Sequence, residues 1–465
     1  MTARLLIEAC DVVVTMDEAG REIAGGSILI EDGVIRSVGS GSPAAAGRAP
    51  GGRAPGGGLT VLDGRGCVAM PGLVNAHHHL YQSLTRVRAQ GEGLFGWLRE
   101  LYPVWAGVDA AWVRDAAAVG LAELALSGCT TTTDHHYVFP DGRTGILEAE
   151  VEVAREVGLR FHPCRGSMDL GRSRGGLPPD EIVEDADDVL ARTDEAITAL
   201  HDPAPGAMLR IAVAPCSPFS VTPGLMRGSA ELARRRGVRL HTHIAETLDE
   251  EAYCRETFGL RPLELLDDLS WLGRDVWLAH GVHLSDDDVT RIARTGTAVA
   301  WCPTSNLRLG SGIAPARALL DAGAAVGLAV DGSASNDSGH MLAEVRQAML
   351  VSRGRGGAGA MPAREALRVA TRGGAACLGR DDIGALEVGR RGDVALFRLD
   401  GLAAVGAEVD PVAALLFCHP GRVTHLVVEG RPVVRDGVLL TMDERRVAES
   451  GRRAARQIAE TGGRA

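Results

Sequence analysis

Lysine is absent from this chain of 465 residues, so all 49 of its basic residues are arginine. Without lysine there is no Schiff-base nucleophile, which excludes pyridoxal-phosphate and lysine-aldolase chemistry. The phosphate-gripping lysine of a Walker A loop and the strand lysine of a kinase are excluded with it. A codon bias toward Arg, Ala and Gly accounts for the composition. Basic charge is also in deficit, with 60 acidic residues and a formal charge of −11. That balance argues against a nucleic-acid backbone as partner, and no arginine-rich stripe offsets it. The nine cysteines (10, 67, 129, 164, 216, 254, 302, 377 and 418) are odd in number and form no C-x-x-C pair. A zinc ribbon, a thioredoxin-type redox site and a P-C-x-x-C nucleobase deaminase are therefore excluded. No charge-free apolar run reaches transmembrane length. Met1–Val14 carries Arg4, Glu8 and Asp11 where a signal peptide would be apolar. A soluble, cytoplasmic chain with no membrane partner is the expectation.

What is present is enough apolar sequence, 45% of residues, for a large core. Residues 1–39 read as strands at Arg4–Ile7, Val12–Met16, Ser27–Glu31 and Val34–Val38, with Asp32-Gly33 as a hairpin turn. Gly39–Gly58 is rich in Gly, Ala, Pro and Ser and reads as a surface excursion. From Cys67 the pattern becomes strands alternating with helices. Eight apolar runs end near Val74, Asp134, Arg165, Cys216, His243, His280, Cys302 and Asp331. Helical patterns such as Ala110–Leu126, with Asp109 as N-cap, lie between them. This is the signature of a (β/α)8 barrel. Strand chemistry returns at Ala395–Leu399, Val423–Val428, Pro432–Val434 and Val438–Leu440. The predicted organisation is residues 1–66 and 381–465 combining into a small β-sandwich with a tail helix, around a barrel spanning 67–380.

Chemistry concentrates where the apolar runs end. Pro71-Gly-Leu-Val-Asn-Ala-His77-His78-His79 follows the first barrel run. On an extended segment the i, i+2 spacing puts His77 and His79 on one side, as two ligands of one metal require, and turns His78 away. The fifth run ends in His241-Thr-His243-Ile-Ala-Glu246, the sixth in Ala279-His280-Gly281 and the eighth in Val330-Asp331-Gly332. Carboxyl ends of barrel strands are where active sites of this architecture are assembled.

With these motifs, and with the tail Gly384-Ala-Leu-Glu-Val-Gly-Arg-Arg-Gly-Asp393-Val-Ala-Leu-Phe, the chain resembles the amidohydrolase superfamily over essentially its whole length. The resembled branch is that of mononuclear aminohydrolases, which includes nucleobase deaminases and triazine hydrolases. The resemblance implies that His77, His79, His243 and Asp331 hold one metal and that Glu246 and His280 form the catalytic pair. Three imidazoles and a carboxylate suit Zn²⁺, with Fe²⁺ or Mn²⁺ as alternatives. Such an ion lowers the pKa of a bound water to about 7. Asp331 can both ligate and accept a proton. Glu246 is placed to protonate a ring nitrogen and then the leaving amine, and His280 to polarise the nucleophile or stabilise developing charge. Binuclear relatives bridge two metals with a carboxylated lysine after strand 4. Here that strand ends Val213-Ala-Pro-Cys216-Ser-Pro218, so one ion is the expected count.

The loops suggest the substrate. Gln82 can read the amide edge of a heterocycle, Trp105 can stack on a flat ring, and Cys216 and Asn336 are further candidates for the pocket wall. The segments after strands 2, 3 and 8 look most like the 8-oxoguanine deaminase group. Many deaminases of adenosine-type substrates carry histidine at Cys216, which counts against such a substrate here. The resemblance thus implies hydrolytic deamination of an oxidised guanine, 8-oxoguanine to urate plus ammonia, or of isocytosine or guanine. The alternatives are an s-triazine losing chloride or alkylamine, and a catalytically inactive scaffold. The only partners expected are this small heterocycle and further copies of the chain in a homo-oligomer.

Overall fold

The computed structural model describes residues 3–41, 58–418 and 421–462. The core of the Gly39–Gly58 excursion lies outside the described residues. Five strands open the chain: β1 (Arg4–Val14), β2 (Glu22–Glu31), β3 (Val34–Ser40), β4 (Leu59–Asp63) and β5 (Cys67–Pro71). The two strands expected at Arg4–Ile7 and Val12–Met16 are one, continuous through a register shift between Ile7 and Cys10 where Ala9 takes φ +59°. The β2–β3 hairpin turns on Asp32 and Gly33, both with positive φ, as a tight Asp-Gly connection requires.

Eight parallel strands follow: β6 (Leu73–Asn75), β7 (Cys129–His136), β8 (Arg160–Ser167), β9 (Ala212–Pro215), β10 (Leu240–Ile244), β11 (Val276–His280), β12 (Ala298–Trp301) and β13 (Val326–Leu328). Each pairs with the next in sequence order. Between β13 and β6 the wall is completed by single bonds: the Ala76 amide donates to the Leu328 carbonyl (3.0 Å) and the Asp331 amide to the His77 carbonyl (3.2 Å). The result is a nearly closed (β/α)8 barrel. Helices α1 (Leu94–Trp105), α2 (Ala110–Leu126) and α3 (Ile146–Val157) come from its first two crossovers. Asp109 caps α2 by accepting from the Trp112 amide, as its N-cap position predicts.

The chain ends with β14 (Val394–Arg398), β15 (His425–Val428), β16 (Arg431–Arg435) and β17 (Val438–Leu439), then the helix Glu444–Gly462. These strands join the first five in one ladder, ordered β17-β16-β15-β14-β5-β1-β2-β3 with β4 beside β1. Both chain ends therefore build the smaller sheet. Its core includes Ile7, Ile28, Ile30, Leu396 and Val427. The sheet also takes residues that the sequence pattern gave to the barrel. Cys67–Pro71 pairs with β1 and β14, and the change of sheet falls at Gly72. A Cβ there would lie 2.1 Å from the Thr130 side chain, so only glycine passes between the two sheets. Among the described residues no helix is long and apolar enough to cross a membrane.

Candidate active site

The carboxyl ends of β6, β10, β11 and β13 bring the predicted residues together. His77, His79, His243, His280, Glu246 and Asp331 are all at least nine-tenths buried. The ring nitrogens of the first three can be assigned from their partners. His79 Nδ1 faces the His135 carbonyl at 2.8 Å, and His243 Nδ1 faces the Cys216 carbonyl at 2.7 Å. A carbonyl only accepts, so both Nδ1 atoms carry the proton and both Nε2 atoms present a lone pair. His77 Nδ1 lies 2.8 Å from His241 Nε2, while His241 Nδ1 faces the Trp277 carbonyl at 2.8 Å. The proton of His241 is therefore on Nδ1, its Nε2 accepts from His77, and His77 Nε2 is a third lone pair.

These three lone pairs converge. His79 Nε2 and His243 Nε2 stand 3.1 Å apart, and Asp331 Oδ1 lies 3.3 Å from Nε2 of both His77 and His79. Lone pairs at that distance repel unless a cation sits between them. Tetrahedral ligands about 2.0–2.2 Å from a zinc ion are roughly 3.3–3.6 Å apart, so the spacing and the donor set fit such an ion. His77 Nε2 is buried without a hydrogen-bond partner among the described residues, a further mark of a ligand position. Burial holds all three rings below the ordinary imidazole range, His79 and His243 down to about 4, so they are neutral as ligation requires. His78 lies outside this cluster, with its Nδ1 accepting from the His79 amide.

The two remaining groups face each other beside the cluster, with His280 Nε2 3.5 Å from Glu246 Oε2. The Asn306 amide nitrogen lies 3.0 Å from His280 Nδ1 and donates to it, which leaves the proton on Nε2. Burial first, and then the Asp331 and Glu250 carboxylates, push Glu246 well above the ordinary carboxylate range. The shift favours the protonated form, in which Glu246 can act as an acid. Its turn is shaped by Glu250, which accepts from the Ala245 amide at 2.8 Å and the Glu246 amide at 2.9 Å. Asp331 is steadied by Ser305 Oγ at 2.6 Å and Ser335 Oγ at 3.1 Å, both donating to Oδ2. Ala245 (φ +51°), His280 (φ +72°) and Asp331 (φ +59°) all adopt the left-handed region at about 1–3 kcal/mol each, strain of the kind that collects at active sites.

Above the cluster, Gln82, Tyr102, Tyr137, Cys216 and Phe219 wall a cavity that α1 roofs with Leu94, Trp97 and Leu98. Gln82 leaves its Oε1 buried and without a partner among the described residues. A Cβ at Gly332 would sit 1.9 Å from that oxygen, so glycine is what admits the amide to the wall. Cys216 is in the wall, with burial pushing its thiol up to about 12. Two expected contacts are not made. Trp105, the last residue of α1, is wholly buried, edge-on to Tyr81 and Trp97, with its ring N–H on Thr85 Oγ1 at 3.2 Å. It is part of the roof's own core. Asn336 donates to the Val330 carbonyl (2.7 Å) and to Glu344 Oε2 (3.0 Å), bracing the turn after Asp331 and not lining the cavity. The sequence reading missed Tyr102, Tyr137 and His241. His241 carried a signal, the same i, i+2 spacing from His243 that singled out His77 and His79.

The amidohydrolase family model matches residues 68–433. The chain belongs to the amidohydrolase family. An 8-oxoguanine deaminase of Pseudomonas aeruginosa is 47% identical to it over 423 residues, covering 90% of this chain and 92% of that one. A hydroxydechloroatrazine ethylaminohydrolase of Pseudomonas sp. strain ADP is 37% identical over 457 residues, covering 96% and 94%. The atrazine chlorohydrolase of Arthrobacter aurescens TC1 complexed with zinc superposes with a TM-score of 0.90 at 35% identity, covering 97% of this chain and all of that one. This amidohydrolase is thus a hydrolase of the branch that holds the 8-oxoguanine deaminases and triazine hydrolases, whose deaminase and ethylaminohydrolase members act on carbon–nitrogen bonds.

Proposed function

We propose that this amidohydrolase hydrolytically deaminates a purine or pyrimidine-like heterocycle, with 8-oxoguanine the favoured substrate and isocytosine and guanine the next. In this reading His77, His79, His243 and Asp331 hold a single zinc ion, a place that Fe²⁺ or Mn²⁺ can also take. The observation that carries it is the convergence of three imidazole lone pairs and a carboxylate beside a buried Glu246, whose carboxyl burial pushes well above its ordinary range. The 47% identity with an 8-oxoguanine deaminase supports the choice of ring.

When bound, the ion supplies Lewis acidity that lowers the pKa of the attacking water to about 7. Asp331 takes one proton from that water as oxygen bonds to the amidine carbon. Glu246 gives its proton to the adjacent ring nitrogen, so negative charge does not build on the ring. His280 Nε2–H, fixed by Asn306, faces the developing charge. The proton held by Asp331 then passes to the exocyclic amine, the carbon–nitrogen bond breaks and ammonia leaves. Glu246 recovers a proton from the new hydroxyl as it becomes the carbonyl of the product. Gln82 supplies a donor and an acceptor for the far edge of the ring.

The test is ammonia release by the zinc-loaded enzyme from 8-oxoguanine, isocytosine, guanine and amino-s-triazines. Release from the oxidised purine at the highest kcat/KM is expected. Turnover of a triazine with none of the purines or isocytosine overturns the reading in favour of a triazine hydrolase, to which the structural match with the atrazine chlorohydrolase lends support.

A further inference from the structure

At the opposite mouth of the barrel, three successive strands are preceded by arginine: Arg210 before β9, Arg239 before β10 and Arg274 before β11. With Arg234, His162 and His201 they line a cavity of about 620 Å³. This volume falls in the range of small-molecule sites. The charge around it is unbalanced. Arg234 pairs with Asp275 at 2.9 Å, the one carboxylate in the described wall. Arg210, Arg239 and Arg274 form no ion pair among the described residues. Their hydrogen bonds go to backbone: Arg239 Nη1 donates to the Arg274 carbonyl at 2.9 Å, and Arg210 Nη2 to the Ala204 carbonyl at 3.2 Å. The nearby carboxylates are engaged elsewhere. Asp382 is gripped by Arg380 at 2.7 Å, and Asp202 accepts from the Ala204 amide at 2.9 Å.

Three polar atoms here are buried without a partner among the described residues: Arg210 Nε, Arg239 Nε and His162 Nδ1. The Arg239 guanidinium is held in place by the Trp277 ring, 5.7 Å from its centroid. Gly379 permits this, since a Cβ there would stand 2.6 Å from Arg239 Nη1. Burial and the charges of Arg380, Arg239 and Arg210 hold His162 well below the ordinary imidazole range, so the ring adds no further positive charge. Three guanidinium groups without a carboxylate partner among the described residues, two of them with a buried Nε–H left unpaired, in a chain whose net charge is −11, are the composition of an oxyanion site.

We propose that this cavity binds a phosphate group, with Arg210, Arg239 and Arg274 as its donors, at a site separate from the reaction centre. Two sources share that chemistry, free inorganic phosphate and a phosphorylated small molecule such as a nucleoside monophosphate. Position makes them distinguishable from ligands of the active site, because this cavity lies at the amino ends of the strands and the chemistry at their carboxyl ends.

Equilibrium dialysis at constant ionic strength tests the proposal, with radiolabelled inorganic phosphate and with adenosine 5′-monophosphate as the two probes. One equivalent of at least one probe is expected to bind per chain, equally in zinc-loaded and zinc-stripped protein. Affinity should fall about tenfold or more in Arg239→Gln, and in Arg274→Gln, where the exposed side chain makes misfolding no concern. Tighter binding of the nucleotide by tenfold or more assigns the site to a phosphorylated metabolite, and comparable binding assigns it to phosphate itself. The proposal is overturned if neither probe saturates below about 10 mM, if both variants bind as the parent does, or if removal of zinc abolishes binding.

Discussion

His241 shows how a residue outside the ligand set shapes it. By presenting an unprotonated Nε2 to His77, it fixes the tautomer that turns the His77 lone pair inward. Outer partners of metal-bound histidines are worth about 10–100-fold in metal affinity. His241→Phe is therefore expected to lose zinc by that factor in a competitive chelator titration, and unchanged affinity would contradict the tautomer assignment. Gly332→Ala would push the Gln82 amide off the cavity wall. One buried hydrogen bond is worth about 1–3 kcal/mol, or roughly 5- to 150-fold in kcat/KM, with zinc content unaltered; a variant with parental kinetics removes Gln82 from substrate recognition. A third residue sets a pH dependence. His136 Nε2 donates to the Val138 carbonyl, so its Nδ1 accepts from Glu150 at 2.7 Å, and burial pushes Glu150 up to about 8. Because the folded value lies above the ordinary 4.5, the folded state binds the extra proton. The stability from that proton is complete below about pH 4.5 and is lost as pH rises through about 8. The melting temperature of Glu150→Gln, taken relative to the parent, should accordingly climb from pH 5 to pH 8, and a flat difference would refute it. At this scale the residues that converge at the carboxyl ends of the strands were legible because their polar side chains interrupt apolar runs. Trp105 and Asn336 misled because a ring or an amide near a site reads the same whether it faces the cavity or the core.

At the scale of elements, α1 is the roof. Its side chains leave only about 30 Å³ beneath them, room for a water molecule and far short of a bicyclic base. The Trp97 ring N–H anchors this helix to the Ala334 carbonyl at 3.0 Å, just beyond Asp331. A shift of α1 is the expected route by which a substrate is admitted. In stopped-flow mixing with a non-hydrolysable ring analogue, the observed rate should reach a plateau at the opening rate of the helix, and a rate that stays linear in ligand concentration would dismiss the gate. Helix limits were readable where a cap marks the start: Ala110–Leu126, behind Asp109, begins and ends as its pattern does. Strand membership was less readable. Cys67–Pro71 is buried throughout in the smaller sheet, and an apolar run buried on both faces carries no mark of which sheet it joins.

For the whole molecule, barrel and smaller sheet share an apolar core that includes Val68, Met70, Phe397 and Leu426, and a buried ionic clasp is set beside it. Arg160, at the start of β8, is buried and reaches Asp393 at 3.0 Å and Glu429 at 2.6 Å, with its remaining donors on the Gly206 and Ala207 carbonyls. Arg160→Leu would leave the buried Asp393 carboxylate without its cation, while Glu429 keeps Arg391. A buried pair broken on one side costs about 3–5 kcal/mol, to be read as a lower urea midpoint, and a shift below about 1 kcal/mol would mean water already reaches the pair. The same sheet also orders events in time. β5 finds its partner β14 only after roughly 320 further residues have been made, which at about 5–20 residues per second is roughly 15–65 s on the ribosome. For that interval the amino-terminal strands wait with an open edge beside a growing barrel. The β5 edge is covered only once the chain from Val394 onward has been made, so the smaller sheet closes after the barrel sequence is complete.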